Sequence, residues 1–94
     1  ILKSNFEVNK IEVDTAKNDF FVNNIKKNIN TFDFVEKLSK IILGWKNEYI
    51  GPQVIDGESF IIEINDRQFK KVITGFNAFP QNYKKLLNLL SEVI

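Results

Sequence analysis

Apolar and polar positions change period several times along the chain, and each change marks an element or a break. In "NFEVNKIEVDT", Phe6 and Val8, then Ile11 and Val13, alternate with polar residues, with Asn9-Lys10 breaking the frame between the pairs. A period of two predicts a half-buried strand, here one carrying a bulge, with a tight hairpin as the alternative. In segment 16–30, Phe21, Ile25 and Ile29 fall at helical spacing, but the Asn residues scattered among them are poor helix formers. That segment is expected to be irregular with a single helical turn. From residue 31 the period becomes 3.6: Val35, Leu38, Ile41, Ile42 and Trp45 form one stripe, Thr31 can cap it, and Asp33 sits where the helix dipole favours an anion. A helix over roughly 32–45 follows, with Trp45 at its end.

Gly51-Pro52 and Asp56-Gly57 are turn dipeptides, so "NEYIGPQVIDGES" is expected to be a loop, with Asp56 and Gly57 supplying its second turn. Beyond it, Phe60, Ile62 and Ile64 alternate with Ile61 and Glu63, "NDR" turns the chain, and "QFKKVIT" returns with β-branched residues. These read as antiparallel neighbours. In "TGFNAFPQNY", Gly75 ends a strand where a missing Cβ is useful, Asn77 can bond nearby backbone, and Pro80 suits a first helical position. Tyr83, Leu86, Leu87, Leu90, Val93 and Ile94 then lie on one helical face, which Leu89 widens. The sum is an α+β domain spanning residues 1–94. Its sheet is antiparallel with three or four strands, two helices cover one face, and the order is β-α-β-β-α.

Composition narrows the class. With 94 residues, 44% of them hydrophobic and nine Phe, the chain is long enough for one core and too apolar to be disordered. A formal charge of +1 supplies no broad field for nucleic acid or a membrane surface, and no run reaches the ~20 apolar residues of a spanning helix. Cysteine is absent, so there is no disulfide framework and the compartment stays unassigned. The chain begins "ILKSNFEV", without an initiator Met or a signal-peptide core, so it is expected to start after its natural start. Its Asn-rich, Ile-rich composition points to an AT-rich bacterial genome.

Having neither His nor Cys, the chain lacks the commonest general base, the usual nucleophile systems and the usual transition-metal ligands. Asp56 and Glu58 flank Gly57 as a paired carboxylate, but no calcium loop follows, and turn chemistry accounts for them. No phosphate-cradling glycine motif is present. The lysine pairs 26–27, 70–71 and 84–85 would make an RNA surface only if Lys26, Lys70 and Lys84 shared a face, with Tyr49 or Tyr83 stacking. Trp45 at the end of its stripe reads first as core; as an exposed anchor it would join Tyr49 and Leu89 as the residues best suited to hold a protein partner, since Trp and Tyr dominate interface energetics.

The second half, from Trp45 to Ile94, resembles a pattern in small uncharacterised bacterial proteins: D-G-x-x-W-x-x-x-I, a short hairpin, then G-x-N-x-Y-P-x-N-F and an amphipathic helix. The matching residues are Asp56, Gly57, Phe60, Ile64, Gly75, Asn77, Phe79, Pro80, Asn82 and Tyr83, with Phe standing for the pattern's Trp and first Tyr. The resemblance implies a hairpin-plus-helix core and no activity. The expectation is therefore a non-enzymatic, cofactor-free interaction module that binds a copy of itself or, in an immunity-type role, another protein. A weak RNA-binding domain and a carboxylate-dependent enzyme are the alternatives.

Overall fold

In the computed structural model, which describes residues 8–52 and 58–93, six strands form one sheet and two helices pack against it. Strands β1 (Lys10–Asp14), β2 (Asp19–Val22) and β3 (Ile25–Lys26) precede helix α1 (Thr31–Ile41). Then come β4 (Glu48–Ile50), β5 (Ser59–Asn65), β6 (Lys70–Phe76) and helix α2 (Tyr83–Val93). The strands lie in the order β3-β2-β1-β5-β6-β4. β1 runs parallel to β5 and β4 parallel to β6, while the other neighbours are antiparallel.

The α+β class stands, but the small antiparallel sheet does not: the sheet is mixed, and the element order is β-β-β-α-β-β-β-α. Two elements account for the difference. Segment 16–30, expected to be irregular, is a hairpin in which Asn23 and Asn24 hold φ of 52° and 68° between β2 and β3. Two positive φ values in a two-residue loop match the right-handed twist of the flanking strands, and Asn tolerates that conformation. The helical spacing of Phe21, Ile25 and Ile29 is thus a coincidence of two short strands. β4, expected to be loop, is drawn into strand form by β6: Thr74 N–H donates to Asn47 O at one end, and Gly51 N–H donates to Phe76 O at the other.

Helix boundaries shift for local reasons. Asn30, rather than Thr31, caps α1, its Oδ1 accepting from Asp33 N–H at 3.0 Å, while the buried Thr31 hydroxyl donates to Asn18 Oδ1. Lys37 and Asp33 form an i, i+4 ion pair along its exposed side. The helix stops at Ile41; Gly44 at φ 86° turns the chain, and Trp45 N–H bonds back to Ile42 O, so Trp45 lies outside the helix. Pro80 is not a first helical residue either. α2 begins at Tyr83, whose N–H donates to Pro80 O. Phe6, Asp56, Gly57 and Ile94, and with them the second turn of the 51–57 loop, lie outside the described residues.

Burial alternates along the strands and selects one face. Ile11, Val13, Phe20, Val22, Phe60, Ile62, Ile64 and Ile73 point into a core shared with Phe34, Val35 and Leu38 of α1 and Leu86, Leu89 and Leu90 of α2. Phe20 meets Phe34 at 4.7 Å between ring centroids, locking α1 to β2. Both helices therefore cover the same face, and among the described residues no element covers the other face of the sheet.

Candidate interaction surface

The junction from β6 to α2 positions one end of the sheet. Gly75 lies beneath the ring of Phe60, and Phe60 in turn packs against Phe79 at 5.5 Å and Tyr83 at 5.0 Å. Asn77, at φ 56°, bonds Glu58 in both directions: its N–H donates to Glu58 O, and its Oδ1 accepts from Glu58 N–H at 2.9 Å. Its Nδ2 donates to Pro52 O at 2.7 Å, tying the end of β4 to the start of β5. Gly75 and Asn77 are thus structural, as their residue types predict. The phenol of Tyr83 titrates above its usual value, first because burial disfavours the phenolate and then because Glu58 is nearby.

At the opposite end, Thr15 hydroxyl donates to Asp66 Oδ1 at 2.6 Å, and Asn65 Nδ2 donates to Asp14 Oδ2 at 3.0 Å. Asp14 also accepts from Lys17 N–H, and Asp66 from Gln68 N–H. Both carboxyls are held below the usual carboxylate value, Asp14 chiefly by the Lys17 amide and Asp66 chiefly by the Thr15 hydroxyl. These bonds clamp the β1–β2 loop to the β5–β6 turn.

Trp45 takes the core place that its helical stripe predicts, and none of the three anchor candidates is fully exposed. Trp45 and Leu89 are buried, 8% and 6% exposed, Trp45 lying 6.5 Å from Tyr83 between ring centroids. Tyr49 is half-buried and its hydroxyl accepts from Lys46 N–H. Core packing absorbs all three because the sheet is wider than expected and encloses more apolar surface. Trp45 Nε1 is enclosed without a hydrogen-bond partner among the described residues.

Exposed apolar residues include Leu43, Phe32, Ile25 and Phe79, each apart from the others, and a group on the helix-free face of the sheet. Ile50 is 65% exposed, Val72 52% and Phe76 37%, with Ile61 and Phe21 half-buried between polar neighbours. Registered pairs arrange these side chains in rows across the strands. Ser59, Phe76 and Ile50 make one row, Lys10, Ile61, Thr74 and Glu48 the next, and Phe21, Glu12, Glu63 and Val72 a third. A shallow groove of about 530 Å³ crosses this face, carrying Glu12, Asp14, Asp19 and Glu63 with Lys70 at its rim. No signal at single positions marks this surface, because Ile50, Val72 and Phe76 read as ordinary strand residues until their partners are known.

Chemistry is sparse. Glu63 lines the open-face groove and Glu58 belongs to the aromatic junction, so these two carboxylates do not converge; Asp56 lies outside the described residues. Among the described residues, no three His, Cys, Asp or Glu side chains are grouped to hold a metal ion. Lys26 pairs with Asp19 at 3.2 Å on the sheet, Lys70 stands on the same open face four strands away, and Lys84 rides on α2 on the helical side. The three lysines do not form one RNA surface. Among the described residues no helix is long and apolar enough to cross a membrane. Comparisons with protein-family models, with curated proteins and with solved structures find no match to this chain.

Proposed function

We propose that this chain is a non-enzymatic protein-interaction module whose partner docks on the open face of the sheet. The observation that carries the reading is the exposure of Ile50, Val72 and Phe76 on one face of β4 and β6, in the rows on either side of the Ile61–Thr74 pair. Exposed apolar residues that are contiguous, rather than scattered, mark interaction sites. Parallel strand pairs are ordinarily covered on both faces, and among the described residues the central β1–β5 pair and the β4–β6 pair are covered on one. A chain without His or Cys, whose Glu58 and Glu63 lie apart, lacks the commonest means of general acid-base work.

Site-specific photo-crosslinking tests the reading. A benzophenone side chain at position 72 is expected to yield a covalent protein adduct in cells expressing the chain, whereas the same group at position 84 on α2 yields none. Equal labelling from both positions, or none from position 72, would overturn it.

A further inference from the structure

We infer that the open face is occupied by a second copy of this chain, in a two-fold contact whose axis runs along the strands between β5 and β6. The inference rests on the interaction reading above and names its partner. Its basis is the sign pattern of the rows. One row runs Lys10, Ile61, Thr74, Glu48 across β1, β5, β6 and β4, positive at one end, negative at the other and largely apolar between. The row nearer the β5–β6 turn runs the opposite way: Asp14 on β1, Asn65 on β5, Lys70 on β6.

A two-fold axis parallel to the strands and midway between β5 and β6 lays β5 over β6 of the second copy and β1 over its β4. Lys10 then faces Glu48 of the other copy at both ends of the contact, and Ile61 faces Thr74 in the middle. Lys70 comes over Asn65 of the other copy, beside the Asp14 carboxylate that Asn65 already holds. The Lys10–Glu48 row is thus self-complementary under one operation, which is the requirement of an isologous interface, while in the Asp14–Lys70 row only Lys70 meets the other copy because β4 ends short of it. Ser59 meets Phe76, and Glu63 meets Val72 with Lys70 one pleat along the strand.

Charge permits such a partner, and area makes the contact a weak one. At +1 the two copies carry almost no long-range repulsion, and that same balance gives no pull toward a strongly charged protein. The four overlaid strands span about 19 Å, and with β5 and β6 about 24 Å long but β1 and β4 shorter they offer roughly 350 Å² in projection. That is less than half the ~800 Å² per partner of a standard interface, the size of a weak, reversible contact. Aligned sheets pack face to face in this way, side chains of both faces meeting over ~10 Å.

A charge-swap experiment on the purified chain tests the contact. By sedimentation equilibrium the wild type is expected to form dimers. Lys10→Glu and Glu48→Lys should each weaken dimerisation roughly tenfold or more, since each reversal turns two symmetry-related attractions into repulsions. The double variant carrying both should recover most of the loss, because opposite charges then face each other again with the signs exchanged, the remainder reflecting the ion pair that Lys10 makes with Glu12 of its own chain at 3.7 Å. Far-ultraviolet circular dichroism checks that each variant folds. A wild type that remains monomeric up to about 1 mM, where even ~4 kcal/mol of association would show, overturns the dimer. A dimer indifferent to the swap overturns it equally. Neither result touches the interaction reading, which then stands or falls on whether position 72 crosslinks to a different protein.

Discussion

Replacing Gly75 by Ala adds one methyl group at the most crowded point of the β6–α2 junction. An ideal Cβ there would overlap Phe60 Cε2 and sit 2.7 Å from Cζ and 2.9 Å from the Ala78 carbonyl oxygen. All three are closer than van der Waals contact permits, so the ring or the backbone has to move. Phe60 is 1% exposed and held between Phe79 and Tyr83, so displacing it disturbs the whole aromatic group. Overpacking of this kind costs about 1–3 kcal/mol, and the immobility of the ring places Gly75→Ala near the upper figure. Against a total stability of roughly 5–15 kcal/mol, the urea midpoint should fall by about 2 M for a slope of about 1.5 kcal/mol/M. Trp45, buried beside Tyr83, is the only tryptophan and reports the transition by fluorescence. Phe60→Leu removes the two ring atoms that the new methyl group would strike and leaves its milder 2.9 Å approach to the Ala78 carbonyl oxygen. The Gly75→Ala/Phe60→Leu double variant should then lie close in stability to Phe60→Leu alone, an interaction energy of about 1–3 kcal/mol. Simple additivity of the two single costs would refute the close-approach account of Gly75.

Asn77→Gly removes the side-chain bonds to Glu58 and Pro52 but tolerates φ 56°, whereas Asn77→Ala loses both. Urea melts should therefore place Ala below Gly by about 1 kcal/mol, and equal values would deny the conformational part of that role. Asn24→Gly should raise stability by about 0.5–1 kcal/mol, measured in the same way, because Gly is the preferred second residue of a loop with two positive φ values. Asp14 and Asp66 have depressed folded-state values, so the stability they contribute is present above the unfolded carboxylate range near pH 4 and is lost as pH falls through their lower folded values. Asp66→Asn should accordingly flatten the fall of the urea midpoint between about pH 4 and pH 2, and an unchanged acid limb would show that the Thr15 clamp does not discriminate between protonation states.

What the sequence determined by itself is local. The Phe60-Ile62-Ile64 alternation and the β-branched return at 72–74 produced β5, β6 and their antiparallel pairing, because period-two burial and a short polar turn suffice to specify a hairpin. The Leu86, Leu89 and Leu90 face produced α2, and the residue types of Gly75 and Asn77 announced a junction that needs a missing Cβ and a positive φ. Tertiary structure decided the rest. β4 has three residues and no pattern of its own; it is a strand because β6 offers it backbone partners, and the parallel pairing of β1 with β5 joins residues about fifty positions apart. Such pairings depend on which edges the core leaves free, and no local window contains that information. The same holds for the candidate surface. Trp45 and Leu89 look like anchors by type, yet a sheet of six strands encloses them, while Ile50, Val72 and Phe76 become neighbours only through the register of β4, β5 and β6. Residue type sets how much apolar surface a chain possesses, but which part of it stays in water is decided by how the strands are ordered.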